Sequence, residues 1–228
     1  MEKRAIAIVS GGIDSTTLLA KLINEGYEVD VLSFLYGQRN TFEINKVKKI
    51  AKSYNVVTHK IIKLNLDQIG GSALTAEIDV PKNNYDKNSS DKDIPVTYVP
   101  ARNTIFLSYA LGWAEVRKIN HIFFGAHIVD YSNYPDCRPE YIDAFEKMAN
   151  LATEMGIKGK KIFIEAPFVK MAKSDIIKIG LDLGVDYSET ISCYDPSLEG
   201  KSCGKCDACI IRLEGFAKNN KKDPIEYQ

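Results

Sequence analysis

Ala5-Ile6-Ala7-Ile8-Val9, followed by Ser10-Gly11-Gly12-Ile13-Asp14-Ser15-Thr16-Thr17, decides how this chain is read. The first five residues form an apolar run that reads as a buried strand. Gly11 and Gly12 make a tight turn, and a helix-like segment begins near Thr16. A strand, a glycine turn and a helix start together form an anion trap. Glycine lets the backbone approach an anion closely, and the first N–H groups of a helix lack intrahelical partners. The hydroxyls of Ser10, Ser15, Thr16 and Thr17 surround those N–H groups. Asp14 is the odd member, because a carboxylate repels phosphate unless it holds the loop or helps to hold a metal ion. The turn carries no lysine, so it is not G-x-x-x-x-G-K-[ST], and it is not G-x-G-x-x-G either.

The elements around this loop alternate. Residues 27–36 and 56–64 read as strands, and 42–54 reads as a helix with Val47, Ile50, Ala51 and Tyr54 on one side. A mostly apolar helix is expected at 103–118, a buried strand at 121–125, and one amphipathic helix over 140–155. A short strand follows at 161–165, then a helix at 174–183 capped by Ser174 and closed by Gly184. Such alternation predicts an α/β fold, a doubly wound, mostly parallel sheet with ligands at the carboxyl ends of the strands. Residues 82–93 are polar and aperiodic and read as a surface excursion or a lid.

Composition narrows the class. The 228 residues suit one domain, 1–228, with a C-terminal subregion at 188–228. Lys+Arg and Asp+Glu are both 30, so no global charge attracts nucleic acid, and no direct nucleic-acid partner is expected. No apolar run approaches the roughly 20 residues of a membrane helix, and the start lacks a signal-peptide pattern. A cytoplasmic protein is therefore expected, with reduced thiols. A homodimer is allowed but not required.

The five cysteines then read as metal ligands, catalytic groups or core residues. Cys193, Cys203, Cys206 and Cys209 follow the spacing C-x9-C-x2-C-x2-C. Four thiolates with no spare position describe a structural Zn²⁺ site, with an iron–sulfur cluster as the rival for the same ligands. Zinc is favoured, because the site lies in a loop-rich segment where it would clip the last helix, 207–218, onto the domain. Cys137 stands apart and reads as either a nucleophile or a packing thiol.

Two further strings are rich in functional groups. In Thr97-Tyr98-Val99-Pro100-Ala101-Arg102-Asn103, Arg102 opens a helix with a fork suited to carboxylate or phosphate, and Asn103 reads as its N-cap or a ligand contact. The loop after the 121–125 strand carries Asp130, Tyr131, Tyr134, Asp136 and Arg138. Aspartate with an aromatic ring suits a guanine-like base, the carboxylate accepting from N1–H and the 2-amino group. Lys170 and Lys173 follow the 161–165 strand and can offset phosphate charge.

SGGIDSTT, TYVPARN, DYSNYPDCRPE and the cysteine array together resemble the 7-cyano-7-deazaguanine synthase family of PP-loop ATP pyrophosphatases. Tyr36-Gly37-Gln38-Arg39 is similar to that family too. Ala101 stands where the family usually has glycine, as does Asn133. The resemblance implies conversion of 7-carboxy-7-deazaguanine and ammonia, with ATP and Mg²⁺, to 7-cyano-7-deazaguanine through an adenylylated intermediate, for queuosine or archaeosine. It implies a pyrophosphate cradle at Ser10–Thr17, with Asp14 near Mg²⁺. Arg102, Lys170 and Lys173 would stabilise charge, and Arg102, Asn103, Asp130, Tyr131, Tyr134, Asp136 and Arg138 would bind substrate. Ammonia is expected free or from another protein. The rivals are a PP-loop tRNA-thiolating enzyme and a non-catalytic zinc- and nucleotide-binding protein.

Overall fold

Period-two alternation sets the layers of the molecule. In β1 (Lys3–Ile8), Ala5 and Ala7 join one apolar cluster and Ile6 joins another. β2 (Tyr27–Leu35) and β4 (His121–Phe124) repeat the split, with Val29, Val31 and Phe123 on the Ala5 side and Leu32, Phe34, Ile122 and Phe124 on the Ile6 side. Strands that are apolar on both faces must be covered twice, which is the pattern of a parallel sheet. A computed structural model describes residues 3–39, 42–83, 85, 94–127 and 134–228. Within them β3 (Thr58–Lys63) and β5 (Phe163–Glu165) complete a five-stranded, wholly parallel sheet of order β3-β2-β1-β4-β5.

Helices cover both faces. α1 (Ile13–Asn24), α2 (Phe42–Ser53) and α6 (Lys173–Asp182) cover the Ala5 side through Leu18, Leu22, Val47, Ile50, Ile176 and Ile177. α3 (Arg102–Arg117) and α4 (Pro139–Ala152) cover the Ile6 side through Phe106, Leu107, Ala110, Ile142 and Phe145. α7 (Asp207–Lys218) packs on α6. The doubly wound α/β fold is the one the alternation predicts. Each fully buried Leu or Ile in these layers contributes about 1.5–3 kcal/mol. Among the described residues no helix is long and apolar enough to cross a membrane.

Three helix ends differ from expectation. The helix expected over 140–155 is two, α4 and α5 (Glu154–Ile157), separated by an extended Thr153. The Thr153 hydroxyl accepts from the Gly156 N–H at 3.1 Å and donates to the Ala149 carbonyl at 2.8 Å, so it serves both turns and lets the helix stop and restart. Ser174 does not cap α6, which begins one residue earlier behind an extended Ala172. Asn103 is not an N-cap either. α3 begins at Arg102 after Ala101, which holds left-handed angles (φ 54°, ψ 22°). The cap comes from a distant turn, Asp136 Oδ2 accepting from the Asn103 N–H at 2.9 Å.

Strand order reverses direction between β1 and β4, whose carboxyl ends therefore diverge into a crevice. In open α/β sheets that crevice holds the ligand.

Candidate active site and metal centre

The glycine turn opens directly into this crevice. Gly11 has φ +89°, and a Cβ there would lie 3.3 Å from the Glu43 carbonyl and the Val47 nitrogen, so only glycine fits between loop and α2. Gly12 precedes α1 without a side-chain cap. The Ser15 hydroxyl accepts from the Ser10 N–H at 3.1 Å and donates to the Gly12 carbonyl at 3.3 Å, while Ser10 Oγ accepts from the Gly12 N–H at 3.4 Å. These bonds shape the loop and leave the first-turn amides of α1 to a ligand. Across the crevice, Gly125 comes so close that a Cβ would meet the Ser15 nitrogen at 3.2 Å. The resulting cavity, about 280 Å³, is lined by Ser10, Gly12, Ile13, Asp14 and Ser15. Thr16 and Thr17 are buried outside it, Thr17 Oγ1 lying 2.7 Å from the Tyr187 hydroxyl.

Asp14 is held from two elements. Lys173, first residue of α6, places its ammonium 2.5 and 2.6 Å from the two carboxylate oxygens, and His127 Nδ1 lies 3.3 Å from Oδ2. Burial alone would raise this carboxyl, but Lys173 and then His127 outweigh it and hold it below the ordinary value. The loop thus keeps an ionised carboxylate already neutralised by a cation. Lys170 is exposed and does not line the cavity.

The far wall belongs to α2 and α3. Arg102 lines the cavity, and its charge is felt by Tyr36. Burial alone would lower its pKa, but Tyr36, Tyr134, Cys137 and Asp136 keep it raised and charged. Tyr134 is buried in the wall, its hydroxyl 2.8 Å from Thr97 Oγ1. Asn103 also lines the cavity, but its side chain donates to the Asp136 carbonyl at 3.2 Å and to Cys137 Sγ at 3.2 Å. Asp136 is buried and occupied as the cap of α3, and Arg138 is exposed and turned to the Pro135 carbonyl. Neither lines the cavity. Asp130 and Tyr131, like most of 82–93, lie outside the described residues.

Sequence reading passed over Glu43. Its carboxyl lines the cavity and receives the Gln38 side-chain amide at 3.4 Å. Burial pushes it up to about 7, with Arg102 and the Gln38 bond pulling the other way. A signal was present, because Glu43 falls on the same helical stripe as Val47, Ile50 and Tyr54.

The cysteine array folds into one knot. The sulfurs of Cys193, Cys203, Cys206 and Cys209 lie within 4.8 Å of one another, and all four residues are buried. Backbone N–H groups of Cys203 and Asp195 donate to Cys193 Sγ at 3.2 and 3.4 Å, and those of Cys206 and Lys205 to Cys203 Sγ at 3.3 and 3.4 Å. Amide donors aimed at sulfur suit thiolates, and four thiolates at this spacing fit a tetrahedral metal ion. The knot joins the glycine loop through Ile191, whose N–H donates to the Gly11 carbonyl at 3.0 Å.

Residues 4–220 match the family described as queuosine biosynthesis protein QueC. The chain belongs to that family. The loop, the cavity residues and the cysteine knot all fall inside the QueC match. Among curated relatives, 7-cyano-7-deazaguanine synthase of Rickettsia akari (strain Hartford) is 58% identical over 226 residues, 99% of each chain. That of Rickettsia rickettsii (strain Sheila Smith) is 58% identical over 229 residues, covering 100% of each. Among solved structures, a predicted subunit of tRNA methyltransferase from Methanocaldococcus jannaschii DSM aligns with TM-score 0.51 over 97% of this chain and 90% of that one; at 14% identity it bears on the fold alone.

Proposed function

We propose that this QueC family member is an ATP-dependent ligase that converts 7-carboxy-7-deazaguanine and ammonia to 7-cyano-7-deazaguanine. The observation that carries the reading is the uncapped start of α1 at the β1/β4 crevice, in a chain whose full-length relatives bear that synthase name. A carboxylate is a poor electrophile. Its oxygen attacks the α-phosphorus of ATP and pyrophosphate leaves. Ammonia adds to the acyl carbon, loses a proton and expels AMP, giving the amide. The amide oxygen then attacks a second α-phosphorus. Loss of AMP with that oxygen, and of both N–H protons, leaves the nitrile.

The protein's part is positioning and charge stabilisation. Main-chain amides at the start of α1 cradle the pyrophosphate, with Ser10 and Ser15 holding the loop's shape. Lys173, now paired with Asp14, stands where phosphate charge would arrive. Asp14 would hold Mg²⁺, which supplies charge neutralisation of the phosphates when bound. Arg102, Asn103 and Tyr134 line the substrate wall. Zn²⁺ would sit in the four-cysteine knot and clip residues 188–228 into a single domain. The reading extends to a cytoplasmic protein needing no nucleic acid, and exposed Tyr109, Val116, Met148 and Leu151 leave room for a homodimer.

Purified protein given 7-carboxy-7-deazaguanine, ammonium and Mg-ATP should release AMP and pyrophosphate, with a product of nitrile mass. ADP as the nucleotide product would overturn the reading.

A further inference from the structure

Glu43 has no part in the adenylylation scheme, yet it lies in the cavity wall. α2 packs by the Val47–Ile50 stripe, and that stripe carries the Glu43 side chain inward. Phe34, Tyr36, Leu74 and Phe106 line the same cavity, with Phe34 and Phe106 stacked at 3.9 Å. The groups facing it are Tyr36 just after β2, Gln38 in the same loop, and Arg102 of α3. The Gln38 side-chain amide donates to it from a long 3.4 Å. A half-buried carboxylate so poorly supplied with donors is costly to shield from water, and its pKa of about 7 reflects that cost.

A ligand can supply what is missing. The six-membered edge of guanine presents an oxo acceptor, then N1–H, then the 2-amino group. Two adjacent N–H donors match a carboxylate, and the oxo group matches a guanidinium. The adenine edge offers one amino donor beside the lone pair of N1, which would face a carboxylate oxygen. Glu43 facing Arg102, in a cavity that aromatic rings also line, therefore fits guanine and opposes adenine. The same helical turn touches the glycine loop, the Glu43 carbonyl lying 3.3 Å from a Cβ placed on Gly11. A ring held there lies beside the loop where its carboxylate must react.

We propose that Glu43 is the specificity-determining residue for the deazaguanine ring, accepting from N1–H and the 2-amino group while Arg102 donates to the 6-oxo oxygen. The inference rests on the function proposed above and names how that substrate is recognised.

The test compares 7-carboxy-7-deazaguanine with its 2-desamino analogue, reading pyrophosphate release by wild type and Glu43→Gln. Wild type should prefer the 2-amino compound by about 10²-fold in kcat/KM, since losing it leaves a carboxylate oxygen unpaired beneath the bound ring. In Glu43→Gln that preference should shrink to within about threefold, with the KM for ATP unchanged. The unchanged ATP KM also verifies that the variant is folded. A variant that keeps the wild-type preference overturns the proposal. So does a change confined to the ATP KM, which would put adenine at Glu43. An equal loss of kcat on both compounds, the mark of a proton-transfer role, overturns it as well. Wild type that turns over both compounds equally sinks the Glu43 assignment alone, whereas wild type that releases no pyrophosphate with either sinks the proposed function itself.

Discussion

Single side chains in this site work against their own stability, and Glu43 shows the sign. Its carboxyl titrates near 4.5 when unfolded and at about 7 when folded. Between those values the folded state binds the extra proton, so stability is full below pH 4.5 and falls as pH rises through 7. Glu43→Gln removes that titration. The variant should be more stable than wild type at pH 8 by about 1–3 kcal/mol, allowing for partial solvent screening, with the gap closing near pH 4.5. Urea melts at both pH values measure it, and a constant difference would contradict the account of a carboxylate shielded from water. Ala101 carries another local cost. A left-handed L-residue costs roughly 1–2 kcal/mol, offset in part by the greater unfolded-state entropy of glycine. Ala101→Gly should therefore stabilise the protein by about 0.5–1 kcal/mol, seen as a raised denaturant midpoint at constant slope.

Elements were legible where their signals are local. Alternation in β1 and the Val47–Ile50 stripe of α2 sit within a few residues of one another, so sequence alone predicts both elements and their faces. Helix ends were less legible, because their partners come from elsewhere. The carboxylate that caps α3 arrives from the Pro135–Cys137 turn, which no pattern near Asn103 announces. That capping also takes Asp136 away from the cavity, while Glu43 entered it disguised as the polar edge of an amphipathic helix. Asp14 was legible as an oddity, but its pairing with Lys173 across 159 residues was not. α7 is fixed by a similar long-range device. Arg212 and Asp223 are each 1% exposed and joined at 2.6 Å, and Arg212 also donates to Thr190 Oγ1 at 2.8 Å and the Tyr187 carbonyl at 3.0 Å. Asp223→Ala would leave a guanidinium buried without its counter-ion. The expected loss is about 3–5 kcal/mol by urea melting, and a loss below 1 kcal/mol would mean that the pair is not what holds α7.

At the scale of the whole molecule, the cysteine knot and the glycine loop form one mechanical unit. Ile191 donates to the Gly11 carbonyl, Ser192 lines the cavity, and Cys193 follows at once. The descending chain at Lys82 and Asn83 ties to the same knot, through the Lys82–Asp195 ion pair at 2.8 Å and the Asn83 N–H to the Lys205 carbonyl at 2.8 Å. The packing around Ala73, Val80, Ile191 and the four cysteines is thin, and a metal held by the cysteines would cross-link it. Metal loss should therefore be felt in the active site as well as in stability. Elemental analysis should give about one zinc per chain, as a closed four-thiolate site requires. Stripping it with a chelator should expose four thiols to a thiol reagent, lower the melting temperature, and slow pyrophosphate release by loosening Ile191 and Ser192 against the loop. Cys137, buried on the Asn103 side of the cavity, should stay protected in the stripped protein until it unfolds. Iron with visible absorbance would instead favour a cluster and revive the thiolating alternative. Full activity after stripping would separate the knot from the loop and leave the metal a role in stability only.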